Sequence, residues 1–229
     1  MAINLTKEEF EKRKVLREGE TAISDRAFNL VLGGVLLWGF LLNYLMVVLL
    51  EPTILAYSQK VHPAILIIGY LALVFGGSAQ IARPDPLTSF IGFNLIAAPI
   101  GVILCLVLPN YAVETVRTAI LYTAVTTVSM MALGALYPKF FLKLGRVLGF
   151  ALLSSLVINL VGGLIFRRSF EIMQWVGVAI FSLYIGYDWA RANTCARTLN
   201  NAVDLAANLY LDIINLFLRI LSILGKRRD

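Results

Sequence analysis

The chain is poor in the residues that build most enzyme centres. His62 is the only histidine among 229 residues, Cys105 and Cys195 are the only cysteines, and charged residues make up 15% of the whole. A single histidine nearly excludes a histidine-built metal centre or a nucleophilic triad. Two cysteines, one inside an apolar run and one in a short connection, do not make a disulfide framework. Nor does the start of the chain read as a signal peptide: acidic and basic residues are mixed there, and no small-residue cleavage site follows a short apolar core. The shortage of charge is the most informative lack. With 59% hydrophobic residues and a mean hydropathy of +0.80, the sequence lies outside the range of soluble globular domains and reads as an integral membrane protein. The net charge of +6 does not point to nucleic acid, because the lysines and arginines are scattered over loops instead of gathered on one face.

What the chain does have is a series of runs without a formal charge, at 27–50, 61–82, 86–113, 118–138, 147–166 and 172–187. A bilayer core about 30 Å thick takes roughly 20 apolar residues in a helix, so each run is long enough or nearly so. A seventh stretch, 202–224, has the length but carries charges. The expectation is an all-α integral membrane protein of seven transmembrane helices over 27–224. A short cytoplasmic N-terminal segment (1–26) precedes them and a basic tail (225–229) follows. Within 1–26, Thr6 and Glu9 fit a capping box that opens a solvated helix to about Arg17. A cytoplasmic N-terminus puts twelve of the twenty lysines and arginines inside, which sets the expected orientation. Seven crossings are expected, the rival being a last element that re-enters. Small residues such as Gly76-Gly77-Ser78-Ala79 read as helix packing.

Two aspartates stand out. Asp188 lies in YIGYDWA and Asp212 in LYLDIINLF, each twelve residues from Asn200. If Asn200 is the apex of a helical hairpin, the two carboxylates stand at one depth and face each other. Close carboxylates cannot both ionise cheaply, so the pair would share a proton and titrate as a unit. Asp204, Asn208, Asp212, Asn215, Arg219 and Ser222 follow at spacings of 4, 4, 3, 4 and 3, a polar stripe on one helical face. One mid-membrane Asp or Arg costs about 2.5 to 3.5 kcal/mol on insertion scales, so this stripe must avoid lipid. Asn208 and Asn215 are expected to donate between helices. Asp204, close to the turn, is compatible with a solvated position, and Arg219 with a structural pair to Glu114 or Glu51. Tyr184, Asp188 and Arg191 share a face of the preceding helix. Arg83, in the Arg83-Pro-Asp-Pro86 turn, has two readings, a topology-setting loop charge or a counter-ion for the aspartates.

FSLYIGYD with Asp188, and LYLDIINLF at 209–217 with Asp212 placed 24 residues later, resemble the signature of the transmembrane Bax inhibitor motif family, the Bax inhibitor-1-like proteins. That resemblance implies a seven-helix fold in which the last helix is central and wrapped by the other six. It implies a pH-sensitive calcium leak sensed and gated by the residues matching Asp188 and Asp212, with an arginine matching Arg83 as latch. No cofactor is implied, calcium being the transported ion, bound weakly and transiently at the two aspartates. The partners are the lipid bilayer, calcium ions and protons, with no nucleic acid, and the membrane is expected to be a bacterial cytoplasmic one. The chain departs from bacterial members near Ala72, where a membrane glutamate is replaced, and at Arg219, a turn away from their basic residue. The expectation is therefore a non-enzymatic ion conductor. Its rivals are a proton-coupled transporter, an intramembrane aspartyl protease, disfavoured by the lack of a GxGD motif, and a scaffolding or survival-signalling membrane protein.

Overall fold

The computed structural model describes residues 13–16, 20–81, 83–164 and 171–225. Among the described residues seven long helices follow one another: α1 (Asp25–Ser58), α2 (Pro63–Ile81), α3 (Pro86–Val107), α4 (Val113–Leu136), α5 (Pro138–Leu164), α6 (Glu171–Ala192) and α7 (Leu199–Leu224). A short 3₁₀ turn, Leu108–Asn110, closes α3, and there is no strand among the described residues. Six of the seven helices are long and apolar enough to cross a membrane. The exception is α6, where Glu171, Asp188 and Arg191 interrupt the apolar run. The protein is a multi-pass membrane protein. Leu37, Leu136, Phe150 and Val128 are each two-thirds exposed or more, a surface that water would not tolerate and lipid requires.

Burial separates α7 from the rest. In its most apolar stretch 61% of residues are buried, against 17 to 50% in the other five crossing helices. The enclosure expected of the last helix is therefore present, and it answers the need of a helix with polar residues along one face.

Several helices outrun the charge-free segments that announce them. Length of apolar sequence measures the hydrocarbon-facing part alone, whereas helical hydrogen bonding continues until a cap or proline stops it. In α1 the helix runs on through Glu51 and Pro52, so Glu51 belongs to the helix and not to a connection. Its 34 residues make a rod about 51 Å long. α5 begins at Pro138, one residue after α4 ends, so Lys139, Lys143 and Arg146 ride on its first turns. The expected N-terminal helix with its Thr6 and Glu9 box lies outside the described residues, apart from its last positions.

By internal contacts the chain forms two units, each described on its own. One holds α1, α2, α3 and Ala196–Ala207, the end of the last turn with the start of α7. There Phe28, Leu32, Val35, Gly39 and Asn43 make the buried face of α1, and Asn43 Nδ2 donates to the Ala97 carbonyl of α3 at 2.9 Å. Gly77 of α2 and Gly92 of α3 let two backbones touch, since a methyl on either would fall 2.6 Å from the other's carbonyl oxygen. Gly76 faces open space, so only one of the paired glycines packs. The other unit holds α4, α5, α6 and α7 from Asn208. In it the Gly186 backbone of α6 lies against Gly134 of α4, and Tyr187 lies over Gly145 of α5.

Candidate functional site

Asp188 and Asp212 are both 1% exposed. Asp188 stands on α6, two residues past the glycine that admits α4, and its carboxylate accepts from Arg191 Nη1 at 2.6 Å. The two residues are one helical turn apart, and the guanidinium lies over the Tyr187 ring at 5.4 Å from its centroid. Tyr187 in turn meets Tyr184 edge to face, with centroids 6.3 Å apart. Asp188 thus has its counter-ion within its own helix.

Asp212 differs in kind. Neither carboxyl oxygen meets a donor among the described residues, and one turn earlier the side-chain oxygen of Asn208 is likewise buried without one. Asp188 is the acid that acts on Asp212, within coulombic and hydrogen-bonding range. These observations agree: two carboxylates have no hydrogen to share until one of them takes a proton. The result is a cluster of acceptors, Asn208 Oδ1 and both Asp212 oxygens, one turn apart on a buried helical face. Buried oxygens without donors are rare in folded proteins. What they accept readily is a proton or a cation.

The hairpin that places the aspartates is not the one expected. Its turn lies in 193–198, and Asn200 is already in the first turn of α7, behind a Thr198 cap whose hydroxyl accepts from the Asn201 N–H at 3.2 Å. Asp188 is four residues from its helix end and Asp212 thirteen from its own, an offset of about 14 Å along the axis. A connection of six residues reaches up to about 20 Å, so it can absorb that offset. The two aspartates are therefore not placed symmetrically about the turn.

The remaining stripe residues do separate things. Asn215 Nδ2 donates to Leu211 O at 2.7 Å within its own helix, instead of reaching across to another. Arg219 donates to Gln174 Oε1 at 3.0 Å and lays its stem across Gly177, so among the described residues it bonds an amide and no acid. Glu114, one of its two expected partners, pairs at the surface with Arg117 at 3.2 Å. Asp204 is 1% exposed and not solvated; it pairs with Arg13. Arg83 lies exposed in the α2–α3 turn, with no ion pair among the described residues. Both cysteines are buried. Arg191, which the sequence places on one helical face with Tyr184 and Asp188, is the ion-pair partner of Asp188, a part that the sequence reading did not give it.

The family model described as "Inhibitor of apoptosis-promoting Bax1" matches residues 21–229, and the chain belongs to that family. The inner membrane protein YbhL of Escherichia coli is 27% identical over 187 residues, 76% of this chain and 79% of that protein. An uncharacterised protein of Helicobacter pylori is 32% identical over 84 residues, 36% of each chain.

Proposed function

We propose that this Bax inhibitor-1-like protein is a passive, non-enzymatic calcium leak whose gate is the Asp188 and Asp212 pair holding one proton between them. The observation that carries the reading is the donor-less carboxyl of Asp212 beside an ion-paired Asp188. With Asp188 committed to Arg191, Asp212 is the member that exchanges protons. Deprotonated, it offers two oxygens to a cation, with Asn208 Oδ1 one turn away. Calcium takes six to eight oxygens, so water completes its shell and binding stays weak, as passage requires. Protonation removes the charge that attracts the ion and shifts the balance of open and closed states. The resemblance gives Arg83 the part of latch, to be tested by Arg83→Ala as a shift of the pH profile. The membrane we propose is a bacterial cytoplasmic one, with the N-terminus cytoplasmic.

Calcium efflux from proteoliposomes, followed from pH 6 to pH 8 without a proton gradient, tests the reading. Efflux should follow the calcium gradient and change with pH, and Asp212→Asn should flatten the profile. If Asp188→Asn and Asp212→Asn both keep the wild-type profile, the pair is not the sensor. Flux that demands a proton gradient would make the protein a coupled transporter instead.

A further inference from the structure

Of the charged side chains on α7, Asp204 has Arg13 and Asp212 has Asp188 within hydrogen-bonding range, but Arg219 meets no acid among the described residues. Its guanidinium is held in place all the same. Nη1 donates to Gln174 Oε1 of α6 at 3.0 Å. A Cβ on Gly177 would stand 2.9 Å from both Cδ and Nε of the arginine, so the glycine leaves room for the stem. Gly177 lies one turn deeper into α6 than Gln174, and the side chain therefore climbs toward the start of α6 and away from the middle of the membrane.

Arginine stays charged at any physiological pH, and this one is partly buried. The Gln174 amide takes one of its five N–H donors and offsets none of its charge. A cation so placed calls for an anion. Centred on a hydrocarbon core about 30 Å thick, the roughly 39 Å of α7 put Arg219, five residues from its end, about 3 Å below the headgroup boundary. A side chain that climbs one turn from there reaches the headgroups. Ile172 and Trp175, on either side of Gln174 in sequence, are 62% and 59% exposed, an apolar and aromatic surface of the kind that sits at the membrane boundary. The sequence flanking these two helix ends carries arginines at 167 and 168 and three bases at 226–228, against the acids Glu171 and Asp229. Glu171, one turn before Gln174, is exposed and makes no ion pair among the described residues.

We propose that Arg219 binds the headgroup phosphate of an anionic phospholipid, with two of the donors that Gln174 leaves free closing on two phosphate oxygens as a fork. Gln174 aims the guanidinium and Gly177 seats its stem. The occupant is a lipid because the group stands at headgroup depth beside an exposed apolar surface, and an anionic one because the flanking charge is positive. The site requires neither the leak nor the aspartate pair, so it stands or falls by itself.

Native mass spectrometry of the full-length protein in detergent tests it, with phosphatidylglycerol and phosphatidylcholine as probes. Wild type should hold one phosphatidylglycerol roughly tenfold more tightly than phosphatidylcholine, the scale of one charge-assisted fork, and Arg219→Gln should bind the two alike. Arg219→Lys, which keeps the charge and is the safer variant for folding, should keep the preference with weaker binding. Glu171→Gln, at an exposed position one turn from Gln174, should tighten phosphatidylglycerol roughly twofold, a gain that misfolding does not produce. The proposal is overturned if wild type shows no preference, if Arg219→Gln keeps it, if Arg219→Lys loses it, or if Glu171→Gln fails to tighten binding. Millimolar inorganic phosphate should leave the lipid bound; displacement would overturn the lipid assignment in favour of a free anion. A wild-type dimer that Arg219→Gln dissolves would overturn it in favour of a carboxylate from a second copy.

Discussion

Replacing Arg191 with methionine keeps most of the side-chain volume and deletes the charge that neutralises Asp188. The size of the effect depends on where the pair sits. An exposed pair one helical turn apart contributes about 0.2 to 0.5 kcal/mol. This pair is 2.6 Å long with side chains 4% and 2% exposed. Removing one partner of such a buried pair costs about 3 to 5 kcal/mol, because the remaining charge is left without compensation. At 2 to 4 °C per kcal/mol for a chain of this size, the melting temperature in detergent should fall by about 6 to 20 °C. Replacing both partners, Arg191→Met with Asp188→Leu, removes the orphaned charge and should recover most of that loss. The assay is thermal unfolding in micelles at neutral pH, with Arg191→Lys as a third variant that keeps charge but loses the planar stack on Tyr187. A single variant within 2 °C of wild type, on the scale of an exposed pair, would refute the buried-pair account. A double variant no more stable than the single would show that packing over Tyr187, and not charge, carries the effect.

Helix crossing and capping give further tests. Gly77→Ala should cost about 1 to 3 kcal/mol through overpacking, since its methyl would meet the Gly92 carbonyl. Gly76→Ala, with nothing nearby, should be neutral or stabilising by up to about 1 kcal/mol; similar melting temperatures for the two variants would contradict the crossing. At the N-cap of α3, the side chain and backbone of Thr88 hold the Asp85 carboxyl below its ordinary value of 3.8. A lowered native value means that the stabilisation is complete above the ordinary value and is lost as pH falls through the native one. The gap in thermal stability between wild type and Asp85→Ala should therefore be constant near neutrality and close in acid. A gap that persists at the acid end would show that the cap works without its charge.

The fold was legible because it depends on hydropathy and punctuation. Charge-free runs located six of the seven helices, the length and the polar stripe of 202–224 located the last, and Pro63, Pro86 and Pro138 mark three starts where the structure has them. The polar stripe of α7 was legible for the same reason, because a face of Asp and Asn cannot meet lipid. Partner choice was not legible. In sequence Arg13 looks like a loop base, Arg191 shares a helical face with Asp188, and Arg83 reads equally as a loop charge or a counter-ion, yet the first two are buried ion-pair partners and the third is exposed. Distance along the chain does not separate these cases. Asp188 finds its arginine three residues away and Asp204 finds one 191 residues away.

Those two arginines sharpen the assignment of the proton. Three aspartates are buried on α6 and α7, at 188, 204 and 212, each 1% exposed. In a low-dielectric interior each needs a compensating positive charge or a proton. Arg191 supplies the first and Arg13 the second. Asp212 has no ion pair and no donor among the described residues. A change of pH, or the arrival of a cation, can therefore alter buried charge at Asp212 without first breaking an ion pair, while Asp188 and Asp204 respond only after losing an arginine. Asp212→Asn should accordingly abolish pH sensitivity with little loss of stability. Asp188→Asn and Asp204→Asn should each destabilise the protein, because each strands a buried guanidinium. Melting temperatures of the three variants, set beside their flux profiles, test that order. Equal destabilisation across the three would mean that Asp212 has a counter-ion of its own.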